Sequence, residues 1–125
     1  MGNEAAEPEL RAVDPDALAR LERFGGAKLL REMIALYLEN APERLGAAEA
    51  GITTGDAAAA ENALHSLKSS SAQLGAMRLS RLCEEGETLA RSGILSGVTE
   101  IVEAGRTELA RVREWLLEIG GASNP

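Results

Sequence analysis

At 125 residues the chain is long enough for one hydrophobic core but hardly for two, so a single domain is expected. Its 45% apolar content is that of a globular protein, yet aromatics make up only 2%, so Leu, Ala, Ile, Val and Met must fill the core. Asp and Glu number 20 against 13 Lys and Arg, and a net charge of −7 excludes a general nucleic-acid binder, because phosphate backbones repel such a surface.

Residues 1–12 read as a polar, mobile lead-in that lacks the basic-then-apolar layout of a signal peptide. The starting methionine and acidic lead-in favour a free-standing chain. Asp14-Pro15 marks a helix start, since Asp14 can accept from an unpaired amide and Pro15 suits the first helical position. Val13 and Leu18 flank that cap, and the short first helix is expected to end near Phe24-Gly25-Gly26. Leu30, Met33, Ile34, Tyr37, Ala41, Leu45 and Ala48 then form one apolar stripe. Pro42 falls inside it, so a kinked helix or two abutting ones are expected over residues 27–50.

Gly51 to Gly55 reads as a turn, with Asp56 capping the next helix. That helix carries Ala60, Ala63, Leu64, Leu67, Ser71 and Leu74 on one face and stops at Gly75. Leu79, Leu82, Cys83, Gly86, Leu89 and Ala90 make the following stripe, which ends near Ser92-Gly93. Val98, Val102, Gly105, Leu109, Val112, Leu116 and Ile119 make the last, before Gly120-Gly121. No alternating β pattern appears, and no apolar run approaches the roughly 18 residues of a membrane span. The expected fold is all-α: an antiparallel up-and-down four-helix bundle over 13–120, with the short N-terminal helix as a lid and 121–125 as a tail. Cys83, the only cysteine, fits a reducing compartment, and a cytoplasmic monomer is expected.

The one histidine, His65, lies in the stretch His65-Ser66-Leu67-Lys68-Ser69-Ser70-Ser71-Ala72-Gln73-Leu74-Gly75. With about 100° per residue and a core face centred between Leu67 and Ser71, His65 points roughly 150° away from the core, into solvent. Glu61 lies one turn before it, Ser69 one turn after, and Lys68 and Ala72 further along the same side. Small side chains at 69 and 72 leave the imidazole open to a partner. An imidazole in water is largely unprotonated at neutral pH and can carry a transferred group covalently. Were that group phosphoryl, Lys68 would screen its charge and the serine hydroxyls could donate to it. A lone exposed histidine near a lysine is also common on an ordinary solvated face.

The stretch resembles the signature of histidine-containing phosphotransfer (HPt) domains, His-x-x-Lys-Gly-(Ser/Ala)-(Ser/Ala)-x-x-(aliphatic)-Gly. The resemblance extends over residues 13–118 and includes Leu38-Glu39-Asn40-Ala41-Pro42-Glu43, the Gly55-Asp56 turn and Leu79-x-x-Leu82. It implies that His65 accepts a phosphoryl group from the aspartyl phosphate of one receiver domain and passes it to the aspartate of another. It further implies that Lys68 is the supporting cation, that Ser69 and Ala72 form the docking surface beside Glu61, and that Gly75 ends the helix. Any magnesium ion would belong to the receiver; this chain is expected to need no cofactor. Ser69 departs from the usual glycine, which bears on fine geometry and partner choice.

Glu61 and His65 have the i,i+4 spacing of metal ligands, but bundle sites need several inward-facing ligands and this histidine faces outward, so no metal is expected. Cys83 reads as core packing, Tyr37 and Trp115 as core or core-edge residues, and Glu84, Glu85 and Glu87 as a solvated acidic face. The resemblance also puts Glu87 and Arg91 near the docking surface. Lys28 and Arg31 are too scattered for a phosphate patch. A histidine-kinase dimerisation helix pair has an acidic residue directly after its histidine, where this chain has Ser66, and no Gly-rich nucleotide loop is present. The expected role is therefore a phosphoryl carrier in a multistep phosphorelay, without kinase activity. The rival is a helical adaptor that binds or sequesters a receiver domain without transfer.

Overall fold

The computed structural model describes residues 12–121; all but the last residue of the expected lead-in and most of the expected tail lie outside them. Among the described residues there are four α-helices and no strand: α1 (Pro15–Thr54), α2 (Ala57–Gln73), α3 (Met77–Arg91) and α4 (Leu95–Leu116), followed by a π-helical turn at Leu117–Gly121. The connections are two or three residues long, so sequential helices run antiparallel. α1 packs on α2 and α4, and α3 packs on the same two, which closes a four-helix bundle.

The helix starts follow from local chemistry. Asp14 Oδ1 accepts from the Asp16 amide at 3.0 Å, with Pro15 in the first turn, and Asp56 Oδ1 accepts from the Ala59 amide at 3.0 Å. Within α1 only Gly26 leaves helical geometry, at φ 86° and ψ 172°. Residues 15–25 thus precede an interruption, and their Ala17 and Leu18 are each 3% exposed.

Three expectations are corrected. α1 continues through Pro42 as one helix and does not split into two abutting ones, the missing amide removing one backbone bond without ending the helix. The expected turn at Gly51 is helix up to Thr54. Gly51 is there for a close approach, since a Cβ on it would lie 2.8 Å from the Ala60 nitrogen. The reversal falls instead on Gly55, at φ 74°. Ile119, expected on the core stripe, is exposed, because the π-helical turn that contains it abandons the 3.6-residue period.

The core is otherwise the aliphatic one expected, with Leu45, Leu64, Leu67, Leu79, Leu116, Val98, Val102 and Val112 among its fully buried side chains. At the α2–α3 connection, Gly75 has φ 82° and its carbonyl accepts from the Asp14 amide at 2.8 Å. A Cβ there would lie 2.4 Å from the Asp14 carbonyl oxygen. Gly75→Ala therefore meets both backbone strain and a clash, whereas Gly93→Ala, at φ 79° with nothing nearby, meets strain alone. Denaturant unfolding should show Gly75→Ala destabilised by more than about 2 kcal/mol and Gly93→Ala by about 1 kcal/mol.

Candidate functional site

α2 is buried on the face of Ala60, Ala63, Leu64, Leu67 and Ser71, which turns His65, Ser69 and Ala72 outward. Two polar contacts fix its rotation. Tyr37 Oη and Ser71 Oγ, both buried, share a hydrogen bond of 2.7 Å from α1. Ser80 Oγ of α3 donates to the Lys68 carbonyl at 3.0 Å. The His65 side chain is 60% exposed, so its outward orientation follows from the packing of its neighbours.

Beneath the ring lies Glu87 of α3, 5% exposed. Its Oε2 is 2.8 Å from His65 Nδ1 and accepts from Arg91 Nη2 at 3.1 Å, while its Oε1 pairs with Lys68 Nζ at 2.9 Å. Arg91 Nε in turn donates to Glu61 Oε2 at 2.9 Å. Burial works to raise the Glu87 carboxyl, but the Lys68 ammonium and His65 imidazole beside it outweigh burial and hold it below the usual carboxylate range. A carboxylate only accepts, so Nδ1 carries the ring proton and Nε2 presents its lone pair to solvent.

An open depression of about 710 Å³ lies beside the ring, lined by His65, Ser66, Ser69, Ser70, Ala72 and Gln73 of α2 and by Arg44 of α1. Of the residues singled out from the sequence, His65, Ser69 and Ala72 share this surface. Lys68 is half-buried with its ammonium on Glu87, and Glu61 is half-buried and turned to Arg91. Gly75 does not join them: it is buried under the Asp14 segment and shapes the end of α2 rather than offering a surface. Cys83 is 1% exposed, and burial foremost, then the Glu87 charge, pushes its thiol up to about 12, which removes it as a nucleophile.

Glu87 is the residue that sequence reasoning misplaced. Its neighbours Glu84 and Glu85 are exposed as expected, but Glu87 follows Cys83 by four and precedes Ala90 by three, on the buried stripe. The 3.6-residue period carried that signal, and the run of glutamates obscured it. Arg44, in the middle of α1, was not singled out at all.

The sequence model of the Hpt domain matches residues 32–115. The chain is similar in structure to histidine-containing phosphotransfer protein B (HptB) from Pseudomonas aeruginosa PAO1, with a TM-score of 0.82 and 28% identity over 87% of this chain and 94% of that one. It shares its fold with a rice candidate histidine-containing phosphotransfer protein, with a TM-score of 0.72 and 16% identity over 93% of this chain and 84% of that one. No curated protein matches the sequence.

Because Glu87 is held below its unfolded value, its stabilising effect is fully present above the unfolded carboxylate range and is lost as pH falls through the folded value. Glu87→Gln should cost about 2 kcal/mol of stability at neutral pH. That gap to the wild type should narrow once the pH drops below about 4.5. Urea unfolding across pH checks it, and a gap that stays constant into acid would contradict the ionised pairing.

Proposed function

The chain belongs to the Hpt domain family, the histidine phosphotransfer domains of phosphorelays, and from that premise we propose that His65 is its phosphoacceptor. The reading is carried by one observation: an exposed imidazole whose Nδ1 is held by a buried carboxylate at 2.8 Å, leaving Nε2 open to solvent. In the transfer, the Nε2 lone pair attacks phosphorus of a receiver's aspartyl phosphate. The bond from phosphorus to the aspartyl oxygen breaks, and its electron pair leaves on the carboxylate. The phosphorylated ring gains one positive charge, which the Nδ1–H bond to Glu87 stabilises, so no proton need move during the step. Return to a second receiver is the same reaction reversed.

Lys68 serves this chemistry from below, neutralising Glu87 and directing positive charge toward the phosphoryl group. Ser69 and Ala72 keep the approach low for the incoming receiver, and Glu61 orients Arg91 at the edge of that surface. The domain is assigned to residues 13–120, beyond the matched span, because Ala17 and Leu18 are buried and the Asp14 amide binds the Gly75 carbonyl. Under this reading the chain is a monomeric cytoplasmic carrier without kinase activity of its own.

Incubation with a radiolabelled phospho-receiver should place acid-labile, base-stable label on the wild-type chain and none on His65→Gln. Label that never forms, or that persists in the variant, removes the relay reading. Receiver binding without label would indicate sequestration instead. Lys68→Ala should slow transfer about ten-fold while the chain stays folded, as loss of one charge-assisted contact implies. Ser69→Gly should change the rate by no more than about three-fold, the scale of an exposed substitution that removes no paired group.

A further inference from the structure

We propose that Arg44 is a phosphoryl-binding residue, reaching from α1 across the open depression to the phosphoryl oxygens on His65 Nε2. This rests on His65 being the acceptor and adds a second helix to the site. The first support is register. Tyr37 of α1 is bonded to Ser71 of α2 at 2.7 Å. Arg44 lies seven residues beyond Tyr37, almost two turns along α1 and on the same side, an advance of about 10 Å. In an antiparallel pair, the matching step back from Ser71 ends at Leu64, directly before His65. The shared depression agrees, since Arg44 lines it together with His65, Ser69 and Gln73.

The second support is charge. Lys68 and Arg91 both lie on Glu87, and Arg91 also lies on Glu61, so two cations already face two carboxylates. Arg44 is exposed, and its helical neighbours at three and four residues are Asn40, Ala41, Ala47 and Ala48, none of them acidic. Among the described residues no carboxylate is paired with it. A phosphoryl group brings roughly two negative charges and three strong acceptor oxygens, and a guanidinium offers a planar fork of donors that fits such oxygens in pairs. On a chain of net charge −7, an uncommitted arginine lining the same depression as the acceptor ring is the group suited to receive them.

The experiment uses phosphoramidate, a small phosphoryl donor, so that no receiver is needed. Nucleophilic Nε2 displaces ammonia from phosphorus, the P–N bond to the donor breaking as the bond to the ring forms. The phosphoryl ionisation on His65 is then followed by 31P NMR against pH in wild type, Arg44→Ala and Arg44→Lys, with His65→Gln as the unlabelled control. A cation within reach favours the dianion. Arg44→Ala should therefore raise the phosphoryl pKa by about one unit, from a lowered wild-type value toward the ordinary one near 6, and Arg44→Lys should restore most of the difference. Equal titration in wild type and Arg44→Ala overturns the assignment, as does a rise that Arg44→Lys shares in full. A wild-type chain labelled by phosphoramidate but never by a phospho-receiver overturns the relay reading alone and leaves the Arg44 comparison readable. A chain that takes no label from either donor overturns both.

Discussion

A carboxylate that is only 5% exposed must either meet cations and hydrogen-bond donors or give up its charge, and Glu87 meets two cations, Lys68 and Arg91, and the His65 ring. Desolvating such an ion costs several kcal/mol, so each partner it keeps is held firmly in place. His65 is oriented by Nδ1, Lys68 is drawn inward, and Arg91 meets Glu87 on its own helix and Glu61 across on α2. One buried oxygen pair thereby sets the tautomer of an exposed ring and the positions of both nearby basic side chains. If Glu87 were apolar, the ring would spin freely in solvent and either nitrogen could hold the proton.

That arrangement requires α2 and α3 to pack closely and in one register. The three-residue connection allows it through Gly75, whose positive φ reverses the chain under Asp14. Gly86 lets the helices approach, since a Cβ there would lie 2.7 Å from Leu64 Cδ1 and 2.8 Å from Ile101 Cγ2. The residue after that glycine is Glu87, and the residue after Leu64 is His65. The contact that brings the two helices together is thus adjacent in sequence, on both sides, to the contact that orients the His65 ring. Glu108, the other buried carboxylate, shows a plainer use of charge: it meets Arg111 at 3.2 Å and Arg78 at 3.8 Å, with no ring to orient.

Much of this was legible beforehand because helices report themselves through period. The stripes of α1 and α4 and the Asp14 and Asp56 caps all follow from residue spacing and side-chain chemistry, and so does the outward face of His65. What was not legible needed a second helix. The burial of Glu87 lay in the period of α3, but its contact with the His65 ring exists only once α3 is set against α2. Gly51 looked like a turn because its close neighbour, the Ala60 backbone, is not visible along one helix. Arg44 drew no notice because the distance between positions 44 and 65 is set by the Tyr37–Ser71 register. Pro42 leaves α1 continuous, since an interior proline removes one backbone bond without ending a helix that is packed on both sides of it.

A carrier must take its group readily and also release it, and the charge balance around His65 suits both demands. In the proposed relay, Glu61 and Glu87 are balanced before transfer by Lys68 and Arg91. The proposed transfer leaves a positive charge on the ring against the Glu87 carboxylate and the phosphoryl oxygens beside an open depression whose remaining basic residue is Arg44. The positive ring strengthens its bond to Glu87, yet it also makes Nε2 a better leaving group for the next acceptor. The product is thus held by charge on both sides of a weakened P–N bond, with no wall of side chains closing over it. A deeper pocket would bind the phosphoryl group more tightly, and by the same contacts would exclude the second protein that must remove it.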